Sequence, residues 1–304
     1  MKQRLITAGL ALLMLALLAL SRPAAEAVRQ GLQLCAGSVI PALFPFLVLS
    51  SLFAAVGGTS GAGRGFSASA QRVLRCSSRG VSVFFLGILG GYPVGGRLVG
   101  QLLRAKELSR EEAEHLLCFC NNAGPAFILG IAGLGCFGSL RIGIWLYLIH
   151  VGAAFLLGLL SGRKPSTPTS PRPITSAAGP RPSFPQSLVE SIGAAGSTMV
   201  QICAFVVFFF TLLQLFSSLT GLSHPLLLGS VELTQGILRL PDSGVGLIMA
   251  AALLGWGGVS VHCQTAAVLS GTGLSLRRYL CAKALHAALS ALFALPAAHF
   301  LFQA

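Results

Sequence analysis

The chain has 304 residues, 54% hydrophobic and 10% charged, and its mean hydropathy of +0.80 is beyond what a soluble domain carries. Lys and Arg number 21 against 8 Asp and Glu, a formal charge of +13, yet the basic residues fall mainly between apolar runs, which leaves no solvated basic stripe for nucleic acid. Disordered, fibrous and disulfide-stapled classes are excluded too. Apolar runs too long for barrel strands leave one class, an all-α polytopic membrane helical bundle.

The first apolar run, 5–20, follows Lys2 and Arg4 and precedes Ala25-Glu26-Ala27, an imitation of a secretory signal. A polytopic chain keeps such a segment as a first span anchored in the cytoplasm. Further spans are expected at 32–56, 81–103, 115–134, 140–160, 188–219, 244–269 and 279–302. Two polar interruptions separate them: 57–80, with Arg64, Arg72, Arg75 and Arg79, and 161–185, a Pro/Ser/Thr-rich linker with Arg163, Lys164, Arg172 and Arg181. Neither contains an acid, so both are placed in the cytoplasm.

That placement carries a parity argument. Between the two basic interruptions lie the apolar runs 81–103, 115–134 and 140–160, and an odd number of crossings would put the linker on the wrong side. One run must enter and leave on the same face. The candidate is 81–103, because Gly90-Gly91-Tyr92-Pro93-Val94-Gly95-Gly96 at its middle cannot continue a helix. This topology leaves Arg22, Arg29, Arg239, Arg277 and Arg278 outside, and the pair Arg277-Arg278 strains it most.

An internal repeat is visible as well. Gly37-Ser38 and the apolar run after it line up with Gly196-Ser197, Leu89-Gly90-Gly91 with Trp256-Gly257-Gly258, and Leu108-Ser109 with Leu274-Ser275. The copies would run in opposite directions, the plan by which secondary transporters build a mid-membrane site. The chain divides into a first span and outer loop (1–30), a first repeat (31–160), the linker (161–185) and a second, inverted repeat (186–304), with two opposed re-entrant or broken helical hairpins.

Four motifs can carry chemistry. In the first, Gly90, Gly91, Tyr92, Pro93, Gly95, Gly96 and Arg97, a helix break exposes amides suited to a carboxylate or phosphate, and Arg97 either adds a charge-assisted contact or snorkels. In the second, Asn121 and Asn122 stand beside the kink of Pro125, as ligand contacts or as interhelical glue. The third holds Gly257, Gly258, Ser260, His262 and Gln264 at the other break, where His262 either couples to protons or makes a structural hydrogen bond. The fourth contains Glu232 and Thr234, and Glu232 has three open roles: gate, proton site or helix cap.

Cys35, Cys76, Cys118, Cys120, Cys136, Cys203, Cys263 and Cys281 sit in apolar or Gly-rich stretches and read as packing residues. The C-x-C of Cys118 and Cys120 has no second ligand pair, so neither a metal nor another cofactor is expected. Neither a phosphate loop, a G-x-S-x-G, an H-E-x-x-H nor a carboxylate pair is present, and the chain is not expected to be an enzyme.

The stretches GGYPVGGRLVGQLL, LSREEAEHLLCFCNNAGPAFILG, VELTQG and GWGGVSVHCQT, together with their order, resemble the nucleoside-recognition or Gate-domain membrane proteins, in the sporulation integral membrane protein branch also called YlbJ or stage V sporulation protein. The likeness spans roughly 31–295. It implies a transport-like role in endospore formation, at the cell membrane or outer forespore membrane, with a small anion, dipicolinate foremost, moved by alternating access. A nucleoside or ion permease and a non-transporting sporulation scaffold are the alternatives. Expected partners are the small anionic substrate, the lipid bilayer, and either a second copy of the chain or sporulation membrane proteins.

Overall fold

The computed structural model describes residues 2–56, 64–161 and 183–302, and nearly all of the expected linker lies outside them. The chain is an all-helical, multi-pass membrane protein. Helix α1 (Lys2–Ala19) is an apolar rod ending at Leu20. Helix α2 (Ser21–Leu34) continues through a wider π-helical turn at Cys35–Val39 into α3 (Ile40–Ala55), so the second span starts well before the expected residue 32.

The expected polar interruption 57–80 is partly helical. Helix α4 (Arg64–Leu74) is anchored by buried Leu74, and α5 (Ser78–Gly90) begins where the Ser77 hydroxyl accepts the Gly80 N–H at 3.2 Å. Helix α5 breaks at Gly91-Tyr92-Pro93, and α6 (Val94–Arg104) folds back along it, with Gly87 against Gly95. This is the re-entrant hairpin that parity requires.

Next comes α7 (Arg110–Leu117), capped by Ser109. The chain then unwinds over 118–124 and resumes as the π-helical α8 (Ala126–Cys136). Together α7 and α8 run antiparallel to α9 (Leu140–Ser161): Gly133 lies on Gly143, the Ala123 N–H reaches His150 and His115 reaches Ser161. The pair is therefore one interrupted span.

The second half repeats this order. Helix α10 (Phe184–Thr220) packs antiparallel to α2 and α3, with Gly31 on Val207 and Gln30 bonded to Gln214 at 3.0 Å. Short α11 (Pro225–Val231) and α12 (Leu233–Ile237) fold back on each other at Glu232, so closely that Gly229 meets Gly236. Helices α13 (Gly244–Trp256) and α14 (Gly258–Val268) form one span interrupted at Gly257, and α15 (Leu276–Phe302) returns antiparallel to it, with Ala298 by Gly244 and Ala287 by Gly255.

Each half is thus a long span, a hairpin, an interrupted span and a closing span. The hairpin folds back on itself, and α10 runs antiparallel to α2 and α3, so the opening helices of the two halves point in opposite directions. The repeat runs in a different register from the one the sequence suggests. The partner of Gly91-Tyr92-Pro93 is the turn at Glu232, and the partner of the unwound 118–124 is Gly257. The closing helices match directly, since Leu140-Arg141 and His150 correspond to Leu276-Arg277 and His286 in α15.

This register resolves the strained arginine pair. Because α13 and α14 cross fully, Arg277-Arg278 arrives at the basic end of the molecule instead of outside. There Arg278 donates to the Ser161 carbonyl at 2.9 Å, Arg104 to that of Ser270 at 3.1 Å, and Arg110 to that of Gly273. Leu148, Phe155, Val200, Phe208 and Leu292, on the outside of the bundle, offer their apolar surface to lipid.

Candidate functional site

The two hairpin tips face each other across a cavity of about 50 Å³, walled by Gly90, Gly91 and Tyr92 of the first tip and Glu232, Leu233 and Thr234 of the second. The interrupted spans complete it with Ala123, Gly124, Ser260, Val261 and Gln264, and the long spans close its side with Val39, Leu43, Leu47, Ile202 and Val206. The π-helical turn at Cys35–Val39 brings Val39 into this wall.

Glu232 is 2% exposed, and its carboxylate accepts the Gln235 N–H at 2.7 Å and the Thr234 N–H at 3.2 Å. Of its three open roles, the structure shows the cap: the first amides of α12 are held by the protein's own acid. At the first tip the Gly96 N–H donates to Asn121 Oδ1 at 3.2 Å. The amides of Gly96, Thr234 and Gln235 thus have internal partners here. Tyr92 spans the two halves, its hydroxyl donating to the Leu254 carbonyl at 3.2 Å, close to Gly257.

Behind the Tyr92 ring is a buried polar cluster. Asn121 Nδ2 donates to Thr265 Oγ1 at 2.8 Å and to the Tyr279 hydroxyl at 3.3 Å, and the same hydroxyl is 3.1 Å from His262 Nδ1. Lys283, 1% exposed, donates to the Asn121 carbonyl at 3.2 Å, lies 3.0 Å from His286 Nδ1 and stands 5.2 Å from the centre of the Tyr92 ring. His286 Nε2 bonds the His150 carbonyl at 3.0 Å, and the two imidazoles stack with centroids 4.5 Å apart. His150 Nε2 accepts the Ala123 N–H at 3.1 Å. Among the described residues no carboxylate pairs with Lys283.

The structure therefore separates the residues singled out by sequence into groups. Gly90, Gly91, Tyr92, Ser260, Gln264, Glu232 and Thr234 wall the cavity. Asn121, Asn122 and His262 stand behind it, with Asn122 turned back onto the Phe119 carbonyl at 2.7 Å and His262 stacked edge-on against Trp256. Pro93 and Pro125 precede α6 and α8, Gly95 packs on the Cys120 carbonyl, and Gly258 lies against the second tip, near the carbonyls of Gly229 and Val231. Arg97 belongs elsewhere. It lines an open cleft of about 540 Å³ with Gln101, Arg104, Ser197, Gln201 and Ser270.

Lys283, His286, His150 and Tyr279 are the members that sequence reasoning left out. Their signal is periodic: Tyr279, Lys283, His286 and Ser290 recur at helical spacing along one face of an otherwise apolar α15, and all four are buried.

Comparison with known proteins agrees with an integral membrane protein. The chain is 28% identical, over 310 aligned positions, to the sporulation integral membrane protein YlbJ of Bacillus subtilis (strain 168), a match covering 88% of this chain and 76% of that protein. No protein-family model matches the chain. No solved structure matches it either.

Proposed function

We propose that this protein is a carrier of endospore formation that moves a small carboxylate anion across a cell membrane by alternating access, with dipicolinate the leading cargo and the outer forespore membrane its place of work. The observation that carries the reading is that two hairpin tips, Gly90–Tyr92 and Glu232–Thr234, wall one cavity from the two halves of the chain. Parting the first tip opens the cavity to the basic end, and parting the second opens it to the other end. The similarity to a protein named for sporulation supports the setting. An unpaired Lys283 beside the cavity wall supports an anionic cargo.

On this reading the amides of the tips pass from Glu232 and Asn121 to the cargo as a tip opens. The protein acts without catalysis and without a cofactor. A second reading has its own support: the cavity wall carries hydroxyl and amide groups of Ser260, Thr234 and Gln264 and no cation, which suits a neutral nucleoside. Uptake by reconstituted vesicles separates the two. Dipicolinate accumulation that nucleosides do not compete away is expected, and saturable nucleoside uptake with no dipicolinate flux would replace the anion carrier with a nucleoside permease.

A further inference from the structure

The group that neither hairpin tip explains is Lys283. A charged ammonium buried at mid-membrane is costly unless something compensates it, and here that something is not a carboxylate of the protein. Its hydrogen bonds show how it is accommodated. His286 Nε2 faces the His150 carbonyl, which can only accept, so Nε2 carries the ring proton and neutral His286 presents Nδ1 as an acceptor to Lys283. The Asn121 carbonyl is a second acceptor.

Two acceptors match the two N–H bonds of a neutral amine. The third N–H of an ammonium faces the Tyr92 ring, whose π-face attracts a cation. Lys283 can therefore gain or lose a proton without breaking either hydrogen bond. The surroundings add basic or neutral groups only: His150 from α9, His262 from α14, Cys120 and Asn121 from the unwound segment, Tyr92 from the first tip, and Tyr279 and His286 from α15 itself, while α13 brings no titratable group. Two buried ring nitrogens beside it, His150 Nδ1 and His262 Nε2, have no hydrogen-bond partner. Tyr92 has Lys283 on one side and lines the cavity, so an anion in the cavity and a proton on Lys283 stabilise each other across one aromatic ring.

We infer that Lys283 is a proton-coupling site: it takes up one proton as a carboxylate cargo loads and releases it as the cargo leaves, making the protein a proton–anion symporter. The inference rests on the carrier reading above. In each cycle the proton is taken from water on the loading side onto the Nζ lone pair and returned to water on the other, so that one carboxylate charge of the cargo crosses with a compensating proton.

The test uses the full chain in vesicles of phosphatidylethanolamine and phosphatidylglycerol, with labelled dipicolinate outside and a pH-sensitive dye trapped inside. For the unaltered protein, lowering the external pH by one unit is expected to raise initial uptake about five- to tenfold, with acidification of the lumen in step with dipicolinate entry. Lys283→Met should abolish both the pH dependence and the acidification. Lys283→Arg, which keeps the charge but does not release the proton, should lower net uptake about tenfold or more while sparing exchange of internal for external dipicolinate. Exchange that is spared shows that the variant folds and binds.

Uptake by the unaltered protein without lumen acidification overturns the coupling and leaves the carrier. Unchanged acidification in Lys283→Met overturns the assignment to this residue. Should Lys283→Met fail to fold, the dye signal of the unaltered protein and the net-to-exchange ratio of Lys283→Arg decide. No dipicolinate uptake by the unaltered protein removes the carrier reading, and this inference with it.

Discussion

The two interrupted spans meet the same difficulty by different means. Between α13 and α14 the helix is broken at two residues, Gly257 and Gly258, whose φ of 90° and 82° residues without Cβ adopt cheaply, and the Gly257 N–H still finds the Leu253 carbonyl at 2.8 Å. Between α7 and α8 the chain leaves the helix over 118–124, and several of its backbone groups are met by other elements. His150 takes the Ala123 N–H and Lys283 gives to the Asn121 carbonyl, while the Cys120 carbonyl fits against Gly87 and Gly95 of the first hairpin. A short break needs little from outside, here the Tyr92 hydroxyl at the Leu254 carbonyl. A long one needs the rest of the protein, because lipid offers no hydrogen bonds.

The contrast predicts where substitution does most damage. The largest effect is expected at Gly95→Val, whose side chain would enter the Cys120 carbonyl: a loss of about 4 kcal/mol or more, seen as failure to recover monodisperse protein in detergent. Asn121→Ala comes next. It removes the acceptor of the Gly96 N–H and the donor to Thr265 and Tyr279, at a cost of about 2–3 kcal/mol in thermal unfolding.

His150→Phe keeps the ring but orphans the Ala123 N–H, costing about 1–3 kcal/mol, and His150→Gln should recover part of that in the same assay. The smallest effect is expected at the other break. Gly257→Ala forces an alanine to positive φ and puts its Cβ 3.0 Å from the Tyr92 hydroxyl, a cost of about 1–2 kcal/mol. If Gly257→Ala proves more damaging than Asn121→Ala, the contrast between the two breaks is lost.

Much of this was legible in the sequence. Composition defined the class, the acid-free stretches with the Gly-Tyr-Pro turn gave the first hairpin, and CNNAGP marked the unwound span. The second hairpin was harder to see. Pro225–Ile237 is too short to read as a membrane element, whereas Gly255–Gly258 looks like a hairpin turn until the whole of 244–268 proves long enough to cross. Gly-rich similarity then paired the wrong segments. Lys283 was hidden for a related reason. A lone lysine near the start of an apolar run reads as a snorkelling end residue, and only its phase with Tyr279 and His286 sets it inward.

Helix α10, at 37 residues, is about 55 Å long, against a hydrocarbon layer of about 30 Å. It and the span antiparallel to it must lean steeply or overhang, so the fit of the bundle is sensitive to membrane thickness. Lengthening or shortening the acyl chains of the host lipid would change the slope of this pair and, through Val39 and Ile202, the room left between the tips.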